Sequence, residues 1–351
     1  MKIATYNLNN LFERPKVFEL DGLSAEASLI LKDYYRLIEL LCKDSYTQDE
    51  VEIKHIIKNR IETTVKKKYF EIIQVREKLY SIATGKVKLK AGGKQDWLGW
   101  VQLVKQEVHE VATQNTARIV DALEADILCT VEVESRTAME NFNKNLLTNK
   151  YKYSMLIDGN DDRGIDVGLY SNYPITNIET HIFDTYTGAN KRQYKIFSRD
   201  CAMYTIDYNG SPIHILCNHF KSQGYGSPGA NNNKRQLQAE RVQEIINQKF
   251  NLTKDNVVVA GDLNDTPDSK SLKPLLSMQG MENIIARNEG THGTYLNTRK
   301  QFDYLLVSKA LSDKYTDSRI ERGGIFNGKN TIESPLHQAS DHAAVVAEFK
   351  F

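Results

Sequence analysis

An unbroken apolar run in the second half of the chain leads directly into two polar side chains. Residues 257–260 are Val-Val-Val-Ala, which is typical of a strand buried on both faces of a sheet. Gly261 lets the backbone turn, and Asp262 and Asn264, spaced i and i+2, then point the same way at the strand end. The pattern predicts a rigid support for a carboxylate and an amide. A plain turn is the alternative for this stretch alone.

The N-terminal stretch has the same arrangement. Residues 2–11 alternate as a strand does, and Asn7 and Asn9 form another i, i+2 polar pair at its end. Strand patterns also cover most of the chain after residue 124, with a helix predicted over 235–249. These further strands are predicted at 126–133, 153–157, 165–170, 198–207, 213–218, 301–308 and 343–349.

Residues 24–123 have a different periodicity. Apolar residues recur near i+4 spacing from Ile57 to Tyr80, which predicts long amphipathic helices. Asp96 resembles the N-cap of a further helix, and this helix, or a successor that restarts near Thr113, should run to about Ala125. Since strands prevail elsewhere, we expect a single α/β domain over 1–351 that carries a mainly helical, basic insertion at 14–116, after the first strand.

Composition places the chain among ordinary globular proteins, with 40% hydrophobic and 26% charged residues. The formal net charge of +1 is unevenly distributed, because residues 51–94 hold 12 Lys or Arg against four Asp or Glu. The four cysteines are far apart in sequence and form no C-x-x-C pair, so we expect buried, reduced thiols. No window approaches the roughly 20 apolar residues that span a bilayer. We therefore expect a cytoplasmic protein without a membrane anchor.

Polar residues recur where predicted strands end. Carboxylates, carboxamides and histidines dominate this set, and no cysteine belongs to it; its members are Asn7, Asn9, Glu132, His219, Asp262, Asn264, Asp303, Asp341 and His342. Oxygen ligands suit Mg²⁺ or Mn²⁺, whereas zinc sites more often show several His or Cys at short spacing. Each residue alone has a structural alternative, such as a satisfied core histidine or a turn cap. Their recurrence at strand ends favours a shared site.

Six blocks along the chain resemble the signature blocks of the endonuclease/exonuclease/phosphatase superfamily, the deoxyribonuclease I-like fold. They are ATYNLNNLF, DILCTVEVE, NHFKS, GDLNDTP, FDYLLVS and ASDHAAV, in this order from one terminus to the other. The resemblance implies a four-layer α/β/β/α sandwich of two mixed β-sheets. It also implies a phosphoesterase site at one end of the sandwich that uses Mg²⁺, with Mn²⁺ as a substitute.

The resemblance also implies metal ligands and catalytic residues. Glu132 matches the main metal ligand, with Asn7 beside it and Asp341 close enough to bind directly or through water. Asp262 resembles the carboxylate that orients or deprotonates the attacking water, and Asn264 the amide that holds the nucleophile and a phosphate oxygen.

Two histidines complete this implied site. His342 and Asp303 resemble a His–Asp pair placed against the scissile phosphate, and His219 falls where some members have a second imidazole near the leaving group. Asn9 stands where several nucleases have Asp, which leaves its share in metal binding open and its assignment closer to substrate binding.

Three cations near these blocks are candidate phosphate contacts. Arg163 and Arg199 precede or lie within predicted strands, and Lys221 follows His219 by two residues. Arginine favours bidentate contacts with oxyanions, and a structural salt bridge is the alternative.

The expected function is a Mg²⁺-dependent nuclease that hydrolyses DNA by metal-assisted, in-line attack of water. The insertion follows the Asn7/Asn9 strand end, and we expect it to begin near the mouth of the site as a basic nucleic-acid clamp. A solvated helix face is the structural alternative. Two other functions remain open: a phosphatase or phosphodiesterase of a small molecule or lipid headgroup, and a binding protein without catalysis. Oligomeric state and cleavage mode are not encoded in any recognisable pattern.

The clamp hypothesis predicts a role for Lys66, Lys67 and Lys68. Reversing their charge to Glu should raise the KM for DNA and weaken its salt dependence, because a protein that neutralises fewer phosphates releases fewer counterions. Cleavage rates measured across a series of salt concentrations check this. An unchanged KM and salt slope would return the segment to a structural role.

Overall fold

The computed structural model describes residues 1–11, 17, 25–61, 69–83, 85–104, 110–161, 163–224, 226–288, 290 and 292–351. The chain forms two compact units, one made of Met1–Phe12 with Val108–Phe351 and the other of Glu13–Glu107. We call them the sandwich unit and the inserted unit.

The strands, in chain order, are β1 Lys2–Leu11, β2 Phe70–Arg76, β3 Tyr80–Ala83, β4 Lys86–Leu89, β5 Leu98–Leu103, β6 Ile127–Val133, β7 Tyr153–Leu156, β8 Asp166–Ser171, β9 Ile175–Glu179, β10 Thr185–Thr187, β11 Gln193–Lys195, β12 Cys201–Tyr208, β13 Ser211–His219, β14 Asn256–Asp262, β15 Met281–Asn283, β16 Asp303–Ser308, β17 Tyr315–Glu321 and β18 Ala344–Phe349.

The α-helices are α1 Ala25–Leu41, α2 Glu50–Ile56, α3 Glu110–Leu123, α4 Arg136–Asn145, α5 Pro228–Lys249, α6 Lys273–Leu276 and α7 Lys309–Ser312. A π-helical turn at Ile57–Ile61 continues α2, and 3₁₀ turns lie at Ile284–Arg287 and Pro335–His337. None of the described helices is both long enough and apolar enough to cross a membrane.

Two large mixed sheets form the centre of the sandwich unit. The first has the order β17-β18-β1-β6-β8-β7 and the second β15-β16-β14-β13-β12-β9. In the first sheet β1 runs parallel to β6 and antiparallel to β18; in the second β13 runs parallel to β14, which is antiparallel to β16. The strand buried on both faces that residues 257–260 predict is therefore confirmed, since every residue of β14 is buried.

Apolar side chains from both sheets meet in a common core. Ile3, Cys129 and Val167 of the first sheet belong to one buried cluster with Ile215 and Val258 of the second. This cluster is the layer between the sheets. Every second residue of a β-strand points to the same face of its sheet. The inward-facing residues of both sheets therefore fill the layer between them.

Helices cover the outer faces of the sheets. Val120 of α3 and Phe142 of α4 pack with Tyr6 on the first sheet. Val242 of α5 packs with Val259 on the second sheet. The order of layers is helix, sheet, sheet and helix, so the predicted α/β/β/α sandwich is confirmed.

The inserted unit mixes helices with short antiparallel sheets. Its core contains Leu37 of α1, Ile53 of α2 and Phe70 of β2. β2 pairs with β5, and β3 pairs with β4. The insertion is predicted over 14–116, but α3 packs in the sandwich unit, and the inserted unit itself spans Glu13–Glu107. Lys66, Lys67 and Lys68 lie outside the described residues.

Two helices predicted in this region are wrong. The apolar i+4 periodicity through Ile73 and Tyr80 belongs to strands β2 and β3, because four is a multiple of two and residues i and i+4 share a face of a strand as well as of a helix. Asp96 does not begin a helix: its carboxylate accepts a hydrogen bond from the Gly92 N–H at 2.7 Å, and Trp100 lies in β5. Tertiary pairing of β2 with β5 decided this region.

Gly261 lies where β14 passes closest to β13. Its φ of +130° is left-handed, and a Cβ there would lie 1.9 Å from the Asn218 carbonyl oxygen. We expect Gly261→Ala to destabilise the fold by several kcal/mol, on the order of 3, because it adds a backbone clash to the strain of positive φ.

Gly210→Ala is the matched control for this prediction. Gly210 has a φ of +86°, and nothing lies within 4 Å of the place that a Cβ would take, so alanine should cost only about 1 kcal/mol there. Urea unfolding of both variants measures the difference. Equal losses of unfolding free energy would show that Asn218 moves aside.

Candidate functional site

The site is a cavity of about 630 Å³ in the sandwich unit. Nine of the residues predicted from the sequence line it: Asn9, Glu132, Arg163, Arg199, His219, Asp262, Asn264, Asp341 and His342. Asn7 and Asp303 contact these residues from buried positions. Lys221 is not part of the lining, although it follows His219 closely in sequence.

Strand register places three of these side chains in one row. His219 is the register partner of Asp262 across β13 and β14, and Asp262 is the partner of Asp303 across β14 and β16. His219 and Asp262 are the last residues of β13 and β14, and Asp303 is the first residue of the antiparallel β16, so all three lie at the same end of the second sheet. The sheet therefore fixes their spacing without help from loops.

His342 forms an ion pair with Asp303 beneath the cavity. The distance from Nδ1 of His342 to Oδ2 of Asp303 is 2.8 Å, and both side chains are buried. Burial alone would lower the pKa of His342, but the carboxylates of Asp303 and Asp262 outweigh it and raise the pKa to about 10. His342 is therefore an imidazolium at neutral pH.

His219 has the opposite charge state. Burial, followed by the positive charges of Arg199 and His342, holds the pKa of His219 well below its usual range. Its Nε2 lies 3.7 Å from Oδ2 of Asp262 and 3.8 Å from Oε1 of Glu132. Its Nδ1 has no hydrogen-bond partner among the described residues. His219 is therefore a neutral imidazole that faces the site.

Asp262 lies between the two histidines. Its Oδ2 is 3.7 Å from Nε2 of His342 and accepts a 3.2 Å hydrogen bond from the Asn7 amide, while its Oδ1 accepts from the Asn264 N–H at 2.8 Å. Burial raises the pKa of Asp262 against the opposing charge of His342, and Asp303 raises it further. A carboxylate whose pKa is raised toward neutrality is suited to accept a proton.

Three polar residues of the site have left-handed backbone conformations. The φ angles are 50° at Asn9, 62° at Glu132 and 55° at Asn264. Each such residue costs on the order of 1–3 kcal/mol and persists only where the surrounding structure holds it. The positions coincide with the ends of apolar strand runs, where the backbone must turn to aim a polar side chain into the cavity.

Glu132 and Asp341 supply carboxylates to the cavity wall. The Glu132 side chain is 20% exposed, and burial raises its pKa although the charge of His342 and a hydrogen bond from Asn7 oppose this. Oδ1 of Asn7 accepts a hydrogen bond from the Asn9 N–H at 3.0 Å, while the Asn7 amide nitrogen donates to Oδ2 of Asp262 at 3.2 Å and to Glu132. The set is made of oxygen donors.

Among the described residues, the candidate ligand atoms of Asp262, Asp303 and His342 lie within 4.8 Å of one another. However, Nδ1 of His342 already contacts Asp303, and the raised pKa of His342 keeps its ring protonated. An imidazolium cannot ligate a cation. Glu132 and Asp341 offer carboxylates to the same cavity that make no such ion pair with His342 in this structure.

Arg199 and Arg163 share one carboxylate. Nε of the buried Arg199 lies 3.0 Å from Oδ2 of Asp161, and Nη2 of Arg163 lies 2.9 Å from the same oxygen. Both arginines also line the cavity. Each arginine therefore forms a salt bridge and also faces the cavity, because the Asp161 carboxylate holds both guanidinium groups beside it.

Sequence reasoning gave no role in the site to Phe302, Lys300 or Ser340, and it left Tyr295 open between the cavity lining and the core. Phe302 and Lys300 line the cavity, and Tyr295 packs edge-on against His342 with ring centroids 5.1 Å apart. Ser340 links two strands, since its hydroxyl accepts from the His342 N–H and donates to the Asn7 carbonyl. In the sequence, the presence of Ser340 in the block ASDHAAV was the one indication that it belongs to the site.

Comparisons with known proteins agree with this architecture. No curated protein matches the chain. The fold is similar to that of an endonuclease/exonuclease/phosphatase from Bacteroides vulgatus, with 15% identity and a TM-score of 0.50 over 69% of this chain and 91% of that one.

Two further solved structures are similar to the chain. Truncated Caenorhabditis elegans TDP2 has 21% identity and a TM-score of 0.48, covering 68% of this chain and 90% of that one. Sphingomyelinase C from Streptomyces griseocarneus has 16% identity and a TM-score of 0.45, covering 68% and 92%. The Endonuclease/Exonuclease/phosphatase family model matches residues 89–333, well over half of the sequence. The chain belongs to the endonuclease/exonuclease/phosphatase family of metal-dependent phosphoesterases.

Proposed function

We propose that the protein is a Mg²⁺-dependent nuclease that hydrolyses phosphodiester bonds of DNA. The observation that carries the proposal is the position of Asp262, whose Oδ2 lies 3.7 Å from Nε2 of both His219 and His342. One imidazole is neutral and the other charged, so a neutral ring and a fixed positive charge flank one carboxylate.

Asp262 is suited to activate water. Its raised pKa lets it take a proton near neutral pH, and the Asn264 N–H holds Oδ1 so that Oδ2 keeps its direction. The Asn264 side-chain amide donates to the Phe220 carbonyl at 3.2 Å, which fixes its amide plane at the cavity wall. We infer that Asp262 orients and deprotonates the attacking water and that Asn264 contacts a phosphate oxygen.

His342 is suited to stabilise negative charge on phosphate. Asp303 keeps the ring protonated and fixes its plane through Nδ1, which leaves the Nε2–H free of that contact and directed to the Asp262 side of the cavity. A charged donor that is held in place before reaction needs no reorganisation as charge develops. His219, neutral and buried on the opposite strand, is suited to the leaving oxygen.

The residues around Glu132 fit a hard divalent cation. Glu132 and Asp341 offer carboxylate oxygens and Asn7 an amide oxygen, the donor types that Mg²⁺ prefers. The raised pKa of Glu132 reflects a buried charge that a cation would compensate. We infer Mg²⁺, with Mn²⁺ as a substitute; when bound, the ion would neutralise charge on the phosphate oxygens.

Positive charge in the cavity supports an extended anionic substrate. Arg163, Arg199 and Lys300 line it together with the catalytic groups, and Asp161 holds the two arginines in place. The basic stretch 51–94 of the inserted unit adds to the case for nucleic acid. A cytoplasmic location stays a prediction.

The nuclease proposal predicts Mg²⁺-dependent cleavage of supercoiled plasmid and of linear single- and double-stranded DNA. Asp262→Asn and His342→Ala should each lower kcat by about 10²–10⁴, the range of a positioned proton-transfer group. Asp317→Asn, which removes an exposed carboxylate on β17, is the control and should leave kcat unchanged.

Two outcomes would contradict the proposal. The parent protein could cleave no nucleic acid in Mg²⁺ but release phosphate or headgroup from a small phosphoester or lipid. That result would contradict DNA as the substrate and support the proposed phosphoester hydrolysis. If both variants cleave as fast as the parent, the site itself is wrong.

The metal assignment predicts a change in Mg²⁺ dependence. Glu132→Gln should raise the Mg²⁺ concentration for half-maximal activity by about tenfold or more, because it removes a charged ligand. Titration of cleavage rate with Mg²⁺ and Mn²⁺ measures this, and EDTA should abolish activity. Glu140→Gln on α4, whose carboxylate pairs with Arg136 at 2.9 Å, is the matched control. An equal Mg²⁺ dependence in both variants would exclude Glu132 as a ligand.

A further inference from the structure

A basic, aromatic hairpin lies between β9 and β12 of the sandwich unit. It consists of β10 and β11, which pair antiparallel, and of the residues at their base. We call residues 183–196 the β10–β11 hairpin. None of the catalytic groups described above belongs to it.

Phe183 at its base is 74% exposed, the most exposed aromatic side chain among the described residues. Nζ of Lys195 lies 4.6 Å from the centroid of its ring. One ring face thus has a cation over it, while most of the side chain contacts solvent. Such a ring is suited to stack on another planar group.

A second aromatic pair reinforces the hairpin. Tyr186 and Tyr194 are cross-strand register partners with ring centroids 5.7 Å apart. Nζ of Lys234 on α5 lies 5.4 Å from the centroid of the Tyr186 ring, so the hairpin is tied to the body of the unit. Tyr194 is 40% exposed, and its hydroxyl accepts a 2.6 Å hydrogen bond from Asn190.

The hairpin carries an excess of positive charge. Residues 185–196 contain Lys191, Arg192 and Lys195 and no acidic residue. The one carboxylate at the base, Asp184, pairs with Arg241 at 2.7 Å. All three cations are exposed. An anionic partner is therefore the one that the charge of this surface favours.

A short chain of contacts connects the hairpin base to the cavity. The Asn160 amide donates to the carbonyls of Ile182 and Phe197, one on each side of the base, at 2.8 and 3.2 Å. The next residue, Asp161, pairs with the cavity-lining Arg199. Arg199 follows the last hairpin residue by three positions, a span of at most about 11 Å. The base of the hairpin therefore lies near the part of the cavity wall that Arg199 forms.

We propose that the β10–β11 hairpin binds a single-stranded segment of the nucleic-acid substrate that flanks the scissile phosphate. Phe183 stacks on an unpaired base, and Lys191, Arg192 and Lys195 contact neighbouring phosphates. The inference rests on the proposed nuclease function and adds to it a preference for substrates with an unpaired flank, because a base within a duplex cannot stack on a side chain.

The same chemistry would also attract an anionic membrane, but the hairpin tip argues against it. Residues 188–192 at the tip are Gly-Ala-Asn-Lys-Arg, which offer no large apolar side chain to insert into a bilayer. The exposed ring of Phe183 lies at the base of the hairpin, directly after Ile182, whose carbonyl accepts from Asn160, and not at the tip. The position of Phe183 at the base fits a single nucleic-acid strand that runs along the hairpin toward the cavity.

Binding of a fluorescein-labelled single-stranded oligonucleotide by the full-length Asp262→Asn protein in Mg²⁺ tests the inference. Adding Phe183→Ala should raise Kd about tenfold, within the range of one stacked base, with a smaller effect on a blunt duplex. Phe183→Trp should restore tight binding. Replacing Lys191 and Arg192 with Gln should weaken the salt dependence of Kd.

Phe351→Ala is the matched control, since Phe351 is 41% exposed and carries Lys314 at 4.9 Å from its ring centroid. Phe351 follows the last residue of β18, whereas His342 precedes the first, so the length of the strand separates the two. The Kd of the Phe351→Ala variant should equal that of the Asp262→Asn protein. With Asp262 intact, Phe183→Ala should hydrolyse bis-p-nitrophenyl phosphate at the parent rate, which shows that the cavity is unchanged.

Three outcomes would overturn the inference. If the parent cleaves DNA and Phe183→Ala leaves Kd unchanged, the hairpin has no such role and the nuclease proposal stands. If the parent hydrolyses bis-p-nitrophenyl phosphate but neither binds nor cleaves nucleic acid, the nuclease proposal falls and the inference with it. If Phe183→Ala weakens binding to phosphatidylserine vesicles but not to the oligonucleotide, the hairpin contacts membranes.

Discussion

The close approach of β14 to β13 at Gly261 is the constraint on which the site depends. The Asn218 carbonyl occupies the space that a Cβ would need, so only glycine lets the two parallel strands keep their register to the last residue. That register sets His219 beside Asp262, and the antiparallel partner strand sets Asp303 beside Asp262. A change of one residue in either pairing would turn these side chains to the opposite face of the sheet.

The two histidines beside Asp262 have opposite pKa shifts because their surroundings differ, although both are the same residue type. His219 and His342 are both buried, yet the pKa of one is lowered by burial and nearby cations, while that of the other is raised by two carboxylates. Asp303 decides the difference because it contacts only His342. A buried carboxylate between a neutral and a charged imidazole provides a proton acceptor and a fixed cation within one cavity.

The residues that we propose to contact substrate lie outside this row. Arg199 is held by Asp161 at the cavity wall, and the loop that carries Asp161 also anchors the β10–β11 hairpin through Asn160. The proposed catalytic row is therefore built on strands of the large sheets, while the proposed substrate contacts lie on the loop and hairpin that flank them. This division is why membership of the family leaves the substrate open and why the proposals for DNA rest on charge and exposed aromatic surface.

Local sequence determined the strands buried on both faces and the polar residues that end them, because these depend on short-range patterns. The sandwich fold was implied by the resemblance of six ordered blocks to a known family. Local sequence misassigned residues around Ile73 and Trp100 as helical, since i+4 spacing satisfies a strand equally well. Lys221 as a phosphate contact stays a prediction. Only the tertiary structure decided the opposite pKa shifts of the two histidines, the pairing of Asp161 with two arginines and the contacts of Asn160 with the base of the hairpin. Those properties arise from groups distant in sequence, whose fields and contacts exist only after the sheets have paired.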